Sequence, residues 1–356
     1  MKIAVLTNDY PPARGGAGVI AEVQVKELER RGHEVKVFFH APTFTTQPPL
    51  RRLIAHVGDL RANPKLVEEI LAFKPDVLLS HNVTGCGIGT ACVIKFQGIR
   101  WVHVLHDVQL VEPSGRIITG ERFGFFRNVW RLGWARMRSV VFGSPNSVVS
   151  PTRWLLEFHR SYGLFLSSKT EIIPNPISFS SAAVSPWAER EPSILYVGRV
   201  DVDKGIDVLL RAWKALGDAR PRLDIVGDGQ RRFGIESMHD GRAIIHGPLP
   251  HDRIRSLMAK SRVVVVPSLV TENQPTVALE GLAAGCNVVA TNVGGIPETI
   301  GKAGRVVKAG SVDELTAALR DALVSSPDDT ASQEVLRSHQ LEPVVDALEA
   351  VLSSNL

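Results

Sequence analysis

Short apolar stretches alternate with amphipathic stretches along most of the chain. Near the beginning, KIAVLTN predicts a buried parallel strand, VIAEVQVKELERRG predicts an amphipathic helix that ends at Gly32, and HEVKVFFH predicts the next strand. PDVLLSH, IRWVHVLHD and SVVSPT repeat the pattern of short β-branched runs that end in polar residues. This alternation of strands and helices favours a parallel sheet with helices on both faces.

The alternation pauses in a segment rich in Pro and Ser that begins near Ile172 and is typical of a linker between domains. SILYVGRV, RLDIVGDG, AIIHGPL, RVVVVPS and CNVVATNVGG then predict the strands of a second sheet, with helices that begin near Asp207, Asp252 and Pro275. The fold class we predict is α/β, with two Rossmann-like, doubly wound parallel-sheet domains. The predicted boundaries are 1–178 for the first domain, 179–192 for the linker, 193–330 for the second domain and 331–356 for a helical tail.

Length, composition and charge are those of a globular protein with an uneven distribution of basic residues. The 356 residues are 44% hydrophobic and 22% charged, which suits two domains that each bury a core. The net charge is +4. Residues 1–180 contain 22 Lys and Arg and 14 Asp and Glu, whereas residues 181–356 contain 19 Lys and Arg and 23 Asp and Glu. We find no apolar run long enough for a membrane span or a signal peptide, and the three Cys form no CxxC pair. These observations favour buried thiols in a reducing cytoplasm.

Candidate ligand-binding residues in the first half follow predicted strands, where open α/β sheets bind their ligands. Gly15 and Gly16 open the first helix, where free N–H groups favour anions, although a plain tight turn fits equally well. They do not form the GxGxxG fingerprint of dinucleotide-binding proteins. His106 and Asp107 end another strand. His106 is placed to donate to a sugar hydroxyl or to serve as a structural hydrogen-bonding group, whereas His103 alternates into the core.

In the second half, Arg199 and Lys204 flank a short loop that follows the first predicted strand. Two such cations can clamp a diphosphate, Arg with its planar fork and Lys as a point charge. The alternative is an ion-paired loop, because Asp201 and Asp203 lie between them. Gly227 belongs to another strand-end loop, which we expect to lie against a nucleotide.

The segment from Glu272 to Glu280 is the sharpest feature of the sequence, because it joins a predicted strand to a predicted helix. Pro275 is expected at the first helical position, where its fixed φ favours the helix. The N–H groups of Thr276 and Val277 would then be unpaired donors at the positive end of a helix dipole, which is an anion site. Glu272 and Glu280 would face one ligand from two ends, with Glu280 accepting from vicinal hydroxyls such as those of a ribose.

The ordered set GGAG, HD, GRVDVDKG, GDG, a PS loop ahead of E-x7-E, and GG-x-x-E resembles the retaining glycosyltransferases of family 4, also called glycosyl transferases group 1. The resemblance covers residues 1–310 and implies the GT-B fold, in which two domains face a central cleft. This sequence has Gln274 and Pro275 where the family more often has Phe-Gly, and Pro275 lacks one N–H donor. The resemblance implies that the Gly16 loop contacts the donor diphosphate or the acceptor, and that Arg199 and Lys204 bind the diphosphate. It implies that Glu280 binds the ribose and that Glu272 contacts the donor sugar. His106 would lie beside the transferred sugar.

The resemblance also implies the chemistry and the partners. The donor would be a UDP- or GDP-sugar, the acceptor a glycan or a lipid-linked molecule, and the transfer a front-face reaction in which the leaving diphosphate helps to deprotonate the acceptor. We expect no metal ion, because no Asp and His cluster has metal-ligand spacing. The alternatives are a catalytically silent sugar-nucleotide-binding protein and a nicotinamide-dependent oxidoreductase, and the missing GxGxxG argues against the latter.

Residues 116–138 account for much of the basic excess, with six Arg and one acid, Glu121. The aromatic residues recur at helical spacing and the Arg residues lie on another flank. The segment either packs its aromatic face into the first domain or docks on anionic lipid at the inner face of the plasma membrane. No nucleic-acid motif accompanies it, so we expect no nucleic-acid partner. The aromatic face consists of Phe126, Trp130 and Trp134, and the basic flank of Arg127, Arg131 and Arg138.

Overall fold

A computed structural model describes residues 1–10, 16–40, 49–112, 114–119, 125–177, 185–218, 220–231 and 241–354, and for 49–50, 52–53 and 125–128 it describes the backbone alone. The chain divides into two compact units. The first contains Met1–Arg116, Arg122–Pro176 and Leu341–Leu356, and the second contains Ile117–Glu121 and Ile177–Gln340.

Each unit contains one sheet of six parallel strands. The order is β2-β1-β3-β4-β5-β6 in the first unit and β12-β11-β10-β7-β8-β9 in the second. In each sheet, the strand order therefore changes direction beside the first strand, because later strands lie on both sides of it. Such a reversal opens a crevice at the carboxyl edge of a sheet. The strands are β1 (Lys2–Thr7), β2 (Glu34–Phe39), β3 (Val77–Ser80), β4 (Arg100–Val104), β5 (Ser147–Ser150), β6 (Lys169–Ile172), β7 (Glu191–Val197), β8 (Arg222–Val226), β9 (Ala243–Gly247), β10 (Ser261–Val266), β11 (Asn287–Thr291) and β12 (Gly304–Val307).

Helices connect these strands and cover the sheets. In the first unit they are α1 (Gly16–Arg30), α2 (Pro49–Gly58), α3 (Pro64–Phe73), α4 (Thr90–Phe96), α5 (Phe125–Phe142) and α6 (Arg153–Ser161). The second unit contains α7 (Ile206–Lys214), α8 (His251–Met258), α9 (Thr276–Ala283), α10 (Ile296–Ile300), α11 (Val312–Val324) and α12 (Asp329–Ser338). The last helix, α13 (Leu341–Ser353), returns to the first unit.

The cores lie against the sheets, as expected for strands whose apolar runs are buried on both faces. In the second unit, alternate residues of β10 supply two clusters on opposite faces: Val263 and Val265 pack with helices α7 and α11, whereas Val264 and Val266 pack with α9. The predicted parallel-sheet architecture is therefore confirmed in both halves of the chain.

The last helix belongs to the first unit, a placement that the predicted helical tail of residues 331–356 did not include. Val345 and Leu348 of α13 are fully buried in the core cluster of the first sheet. Arg31 at the end of the first helical segment donates to Asp346 at 2.5 Å and to Glu349 at 3.0 Å. A contact between residues more than 300 positions apart leaves no local signal in the sequence, which explains the difference.

Two shorter segments were also outside the predicted pattern. Strand β6 (Lys169–Ile172) is exposed and lacks an apolar run, so its sequence KTEI gave no strand signal. Residues 117–119 pair with the second unit, where the N–H of Thr119 donates to the carbonyl of Leu269 at 2.7 Å and the N–H of Thr271 donates to the carbonyl of Ile117 at 2.8 Å. The predicted basic segment 116–138 thus divides between the two units. Across the described residues, no helix combines the length and the apolar character that crossing a bilayer requires.

Candidate functional site

In the second unit, the loop after β7 carries Arg199, whose guanidinium is held by two acids. It donates to Asp201 at 2.5 Å and to Asp203 at 3.2 Å, and 43% of its side chain is exposed. The ion-paired alternative that the sequence left open therefore applies to Arg199.

Lys204, at the other end of the same loop, contacts a different acid. Its ammonium group donates to Oε1 of Glu272, and the same oxygen accepts from the hydroxyl of Ser268 at 2.9 Å. The backbone fixes the two loops against each other, because the carbonyl of Asp203 accepts from the N–H groups of Leu269 and Val270. The structure thus brings two predicted site residues, Lys204 and Glu272, into direct contact although they lie 68 positions apart.

Helix α9 begins one residue later than predicted. Pro275 is its N-cap, with φ −70° and ψ 111°, rather than its first helical residue, because the chain is still extended at that position. Thr276 and Val277 are therefore the first two helical residues, whose N–H groups have no partner inside a helix. Ala278 already donates to the carbonyl of Pro275. The start of α9 accordingly presents two backbone donors and the positive end of the helix dipole directly after Glu272.

Glu280 lies one turn further along α9 and is partly buried. Its Oε2 is 3.9 Å from Nε2 of His251, the first residue of α8, and these two groups form an ion pair when the imidazole is protonated. His251 was not singled out in the sequence. His251 lies one residue, Pro250, beyond the strand-end segment AIIHGPL, and a polar residue at that place is the signal that would have found it.

Glycine is required where the loops of this edge approach each other. A Cβ on Gly227 would lie 1.9 Å from the carbonyl oxygen of Gly198, and a Cβ on Gly205 would lie 1.8 Å from that of Pro267. Both residues have positive φ, of +133° and +74°. The N–H of Val200 also donates to the carbonyl of Asp228 at 2.9 Å, which ties the two loops together. Gly227 therefore shapes the loop beside Arg199 through backbone contact.

The carboxyl edge of the first sheet carries a pair of histidines. Nδ1 of His81 lies 2.8 Å from Nε2 of His106, and the two rings stack with centroids 5.1 Å apart. Burial lowers the pKa of His106 to about 4 and takes the pKa of His81 well below its usual value. Both rings are therefore neutral near pH 7, which allows one nitrogen to donate to the other. His103 is buried, as the alternation pattern predicted, and its Nδ1 lies 2.8 Å from the hydroxyl of Ser80.

Asp107 is held next to this pair by donors from two neighbouring segments. The side-chain amide of Asn82 donates to it at 3.0 Å and the N–H of Gln109 donates at 2.8 Å. Burial raises the pKa of the Asp107 carboxyl. Asn82, Asp107 and His106 line one small cavity. His81 and Asn82 were missed as site residues, although His81 ends the strand segment PDVLLSH and Asn82 follows it directly, much as His106 and Asp107 end the next strand.

The glycine-rich loop is only partly described. Gly15 lies outside the described residues, and Gly16 is the first residue of α1. Among the residues that the structure describes, a Cβ on Gly16 would meet nothing within 4 Å. Its predicted contact with a diphosphate or an acceptor stays a prediction.

In helix α5, one of the two described tryptophans packs into the first unit and the other is exposed. Trp134 is 6% exposed and packs inward, whereas Trp130, stacked on it at 6.1 Å, is 61% exposed. Arg138, which the sequence places on the basic flank, has a fully buried side chain that donates to the carbonyl of Gln109. Arg131 donates to the hydroxyl of Tyr162. The side chains of Phe126 and Arg127 lie outside the described part of the structure.

Within the described ranges, we find no group of three or more His, Cys, Asp or Glu side chains that could hold a metal ion.

Two family models match the chain. Residues 14–180 match the model for Glycosyltransferase Family 4, and residues 191–325 match the model for Glycosyl transferases group 1. An uncharacterised glycosyltransferase of Methanocaldococcus jannaschii is 39% identical over 338 residues, which cover 84% of this chain and 83% of that protein. The glycogen synthase of Mycobacterium tuberculosis is 32% identical over 384 residues, covering 94% of this chain and 88% of the relative.

A solved structure agrees with these matches at the level of the fold. The Anabaena protein HepE, crystallised with UDP and glucose, superimposes with a TM-score of 0.69 over 99% of this chain and 100% of its own. Its sequence identity to this chain is 20%, so the likeness is one of architecture.

Proposed function

The chain belongs to glycosyltransferase family 4 and has the GT-B fold, and from this premise we propose that it moves a sugar from a UDP- or GDP-sugar to a glycan or lipid-linked acceptor with retention of configuration. The observation that carries the proposal is the contact between Lys204 and Glu272 beside the start of α9. A cation, a carboxylate and two free helical N–H groups then lie at one edge of the sheet, as a sugar diphosphate requires.

The second unit supplies the donor-binding groups. Lys204, Arg199 and the N–H groups of Thr276 and Val277 bind the diphosphate, and Glu280 accepts from the ribose hydroxyls. Since Lys204 already pairs with Glu272, the incoming diphosphate competes for the ammonium group. That competition frees an oxygen of Glu272 to accept from a hydroxyl of the donor sugar, so that diphosphate binding and sugar recognition are coupled through one contact.

The first unit supplies neutral hydrogen-bonding groups for the sugar and the acceptor. His106, kept uncharged by burial, donates to or accepts from a sugar hydroxyl without placing a cation beside the anomeric carbon. In the front-face reaction, the bond from the anomeric carbon to the diphosphate breaks and the acceptor oxygen bonds to the same face. The acceptor proton passes to the leaving diphosphate, whose growing charge Lys204 and Arg199 stabilise.

The transfer itself is tested with a donor screen followed by product analysis. Thermal shifts across UDP- and GDP-sugars identify the donor, because a ligand that binds the native state raises its stability. NMR of the product made from that donor with a panel of glycan and lipid-linked acceptors reports the anomeric configuration, and we expect retention and undiminished activity in EDTA. Inversion, or loss of activity in EDTA, contradicts the proposed mechanism. Donor binding without transfer to any acceptor supports the silent binding protein instead.

We further propose that the exposed side of α5 lies on an anionic membrane surface at the cytoplasmic face. Trp130 and Leu132 are 61% and 56% exposed, and Arg136 is exposed one turn further along the same helix. Tryptophan favours the headgroup layer, and arginine binds anionic lipid there. This surface would bring the first unit to a lipid-linked acceptor.

A further inference from the structure

A cavity of about 400 Å³ lies in the first unit at the beginning of strands β4, β5 and β6. Arg100, Ser147 and Lys169 are the first residues of these three strands, and all three line it. The cavity therefore opens at the amino edge of the sheet, whereas His106 follows the carboxyl end of β4. A strand of five residues separates the two edges by roughly 15 Å. The volume of the cavity lies in the range of small-molecule sites.

The lining of this amino-edge cavity is cationic. Lys95, Arg100 and Lys169 contribute three positive charges, and among the described residues that line it none is acidic. None of the three cations forms an ion pair with any acid in the part of the chain that the structure describes. Three cations around one cavity repel one another unless an anion lies between them.

Two of the three cations, Arg100 and Lys95, are held in place by hydrogen bonds. One terminal nitrogen of Arg100 donates to the hydroxyl of Ser147 at 3.1 Å, to the carbonyl of Val351 at 2.8 Å and to the hydroxyl of Ser354 at 2.7 Å. Its Nε is buried and has no partner among the described residues. Lys95 donates to the carbonyl of Ser144 at 2.6 Å. Because neutral oxygens hold one terminal nitrogen of Arg100, the other terminal nitrogen is left to donate to a ligand.

Asn146 adds a neutral donor to the same wall. Its side-chain oxygen accepts from the N–H of Trp101 at 3.0 Å, so its amide orientation is set by the backbone of β4. The NH₂ group has no partner within the described ranges and can donate to an anion oxygen. Donors outnumber acceptors at this cavity, as they do in sites for phosphate groups.

We propose that the amino-edge cavity binds a phosphomonoester group, carried by a soluble sugar phosphate or by a lipid headgroup, at a site separate from that of the nucleotide sugar. The three cations match a dianion, and Asn146 and Arg100 supply directional donors to its oxygens. Because the cavity lies at the opposite edge of the sheet from His106, its ligand is an effector or anchor rather than the transferred group.

The test is a titration of the full chain with glucose 6-phosphate by calorimetry, with neutral glucose as the uncharged comparison. We expect binding of the phosphate alone, weakened at least about tenfold in Lys169→Gln and in Lys95→Gln, which is the loss expected for one charge-assisted hydrogen bond. Lys169 has an exposed side chain, so its replacement leaves the fold intact. Lys214→Gln, an exposed lysine on α7, is the matched control and should bind like the wild type.

Two comparisons separate this site from the donor site and identify the source of the phosphate. Lys204→Gln should leave glucose 6-phosphate binding unchanged, so failure of the donor assignment and failure of this one are distinguishable. Sedimentation with phosphatidylcholine vesicles, with and without phosphatidic acid, shows a lipid source if binding requires phosphatidic acid and Lys169. Binding of neither probe, or binding that survives both Lys95→Gln and Lys169→Gln, overturns the proposal.

Discussion

At the scale of single residues, the central contact is the one between Lys204 and Glu272. The ammonium group, the carboxylate and the hydroxyl of Ser268 form one hydrogen-bonded unit, so a change at any of them alters the others. Arg199 differs, because it is neutralised by its own loop and adds charge to a ligand only by sharing its fork with Asp201 and Asp203.

These two cations should stabilise the leaving diphosphate. Replacing Lys204 or Arg199 with Ala should raise the barrier by about 2–4 kcal/mol, as for other single preorganised donors. The measurement is turnover at saturating donor, with Lys214→Ala as the control of equal charge change. Turnover close to that of the wild type in both site variants would refute their role.

The buried histidine pair predicts a pH dependence of stability. The pKa of His106 is about 4 in the folded chain and near 6.5 in the unfolded chain, so between these values the unfolded state binds more protons. The stability due to neutral His106 is therefore complete above pH 6.5 and is lost as the pH falls towards 4.

His106→Asn should remove part of that dependence. We expect the difference in unfolding free energy between pH 7 and pH 5 to shrink by about 1–2 kcal/mol, which follows from the size of the pKa difference. Urea unfolding of both proteins at the two pH values gives this difference. An unchanged difference would show that His106 is not buried in its neutral form.

At the scale of elements, α5 carries one exposed tryptophan, Trp130, and one buried tryptophan, Trp134, in adjacent turns. Trp134→Ala should lower stability by about 3–5 kcal/mol because it removes a buried aromatic side chain, while the exposed Trp130→Ala should change stability little. If α5 docks on lipid, Trp130→Ala should instead weaken sedimentation with anionic vesicles. Equal vesicle binding by Trp130→Ala and the wild type, at low and at high salt, would contradict docking.

The sequence pattern was sufficient for elements whose signal is local. The run VVVV predicted β10 because a strand buried on both faces is apolar throughout, and Glu272 to Glu280 predicted the strand–loop–helix edge. The pattern placed Arg138 on the basic flank and gave no sign of its burial, because its partner, the carbonyl of Gln109, lies in another segment. It also failed for the exact cap of α9, because Pro is compatible with both the N-cap and the first helical position.

At the scale of the whole molecule, the chain returns to its first unit after it has formed the second. Helix α13 follows the second unit in sequence but packs Leu348 into the core of the first sheet. Charge pairs between Arg31 and Glu349 add to that contact. The domain boundaries in the sequence were drawn from linker composition, which carries no information on such a return.

Leu348→Ala tests this return directly. A fully buried leucine that is truncated leaves a cavity, so the first unit should lose about 2–5 kcal/mol of unfolding free energy. The measurement is chemical unfolding followed by tryptophan fluorescence, with the exposed Val324→Ala of α11 as a control. A free helical tail would make Leu348→Ala as neutral as the control.

The central claim is that the second unit holds a nucleotide diphosphate through Lys204. Calorimetric titration of UDP and GDP into the wild type, Lys204→Gln and Lys214→Gln tests it most directly. We predict that one of the two nucleotides binds, that Lys204→Gln weakens it at least about tenfold through loss of a charge-assisted hydrogen bond, and that Lys214→Gln binds as the wild type does. Equal affinity in all three proteins, or no binding of either nucleotide, would contradict the account.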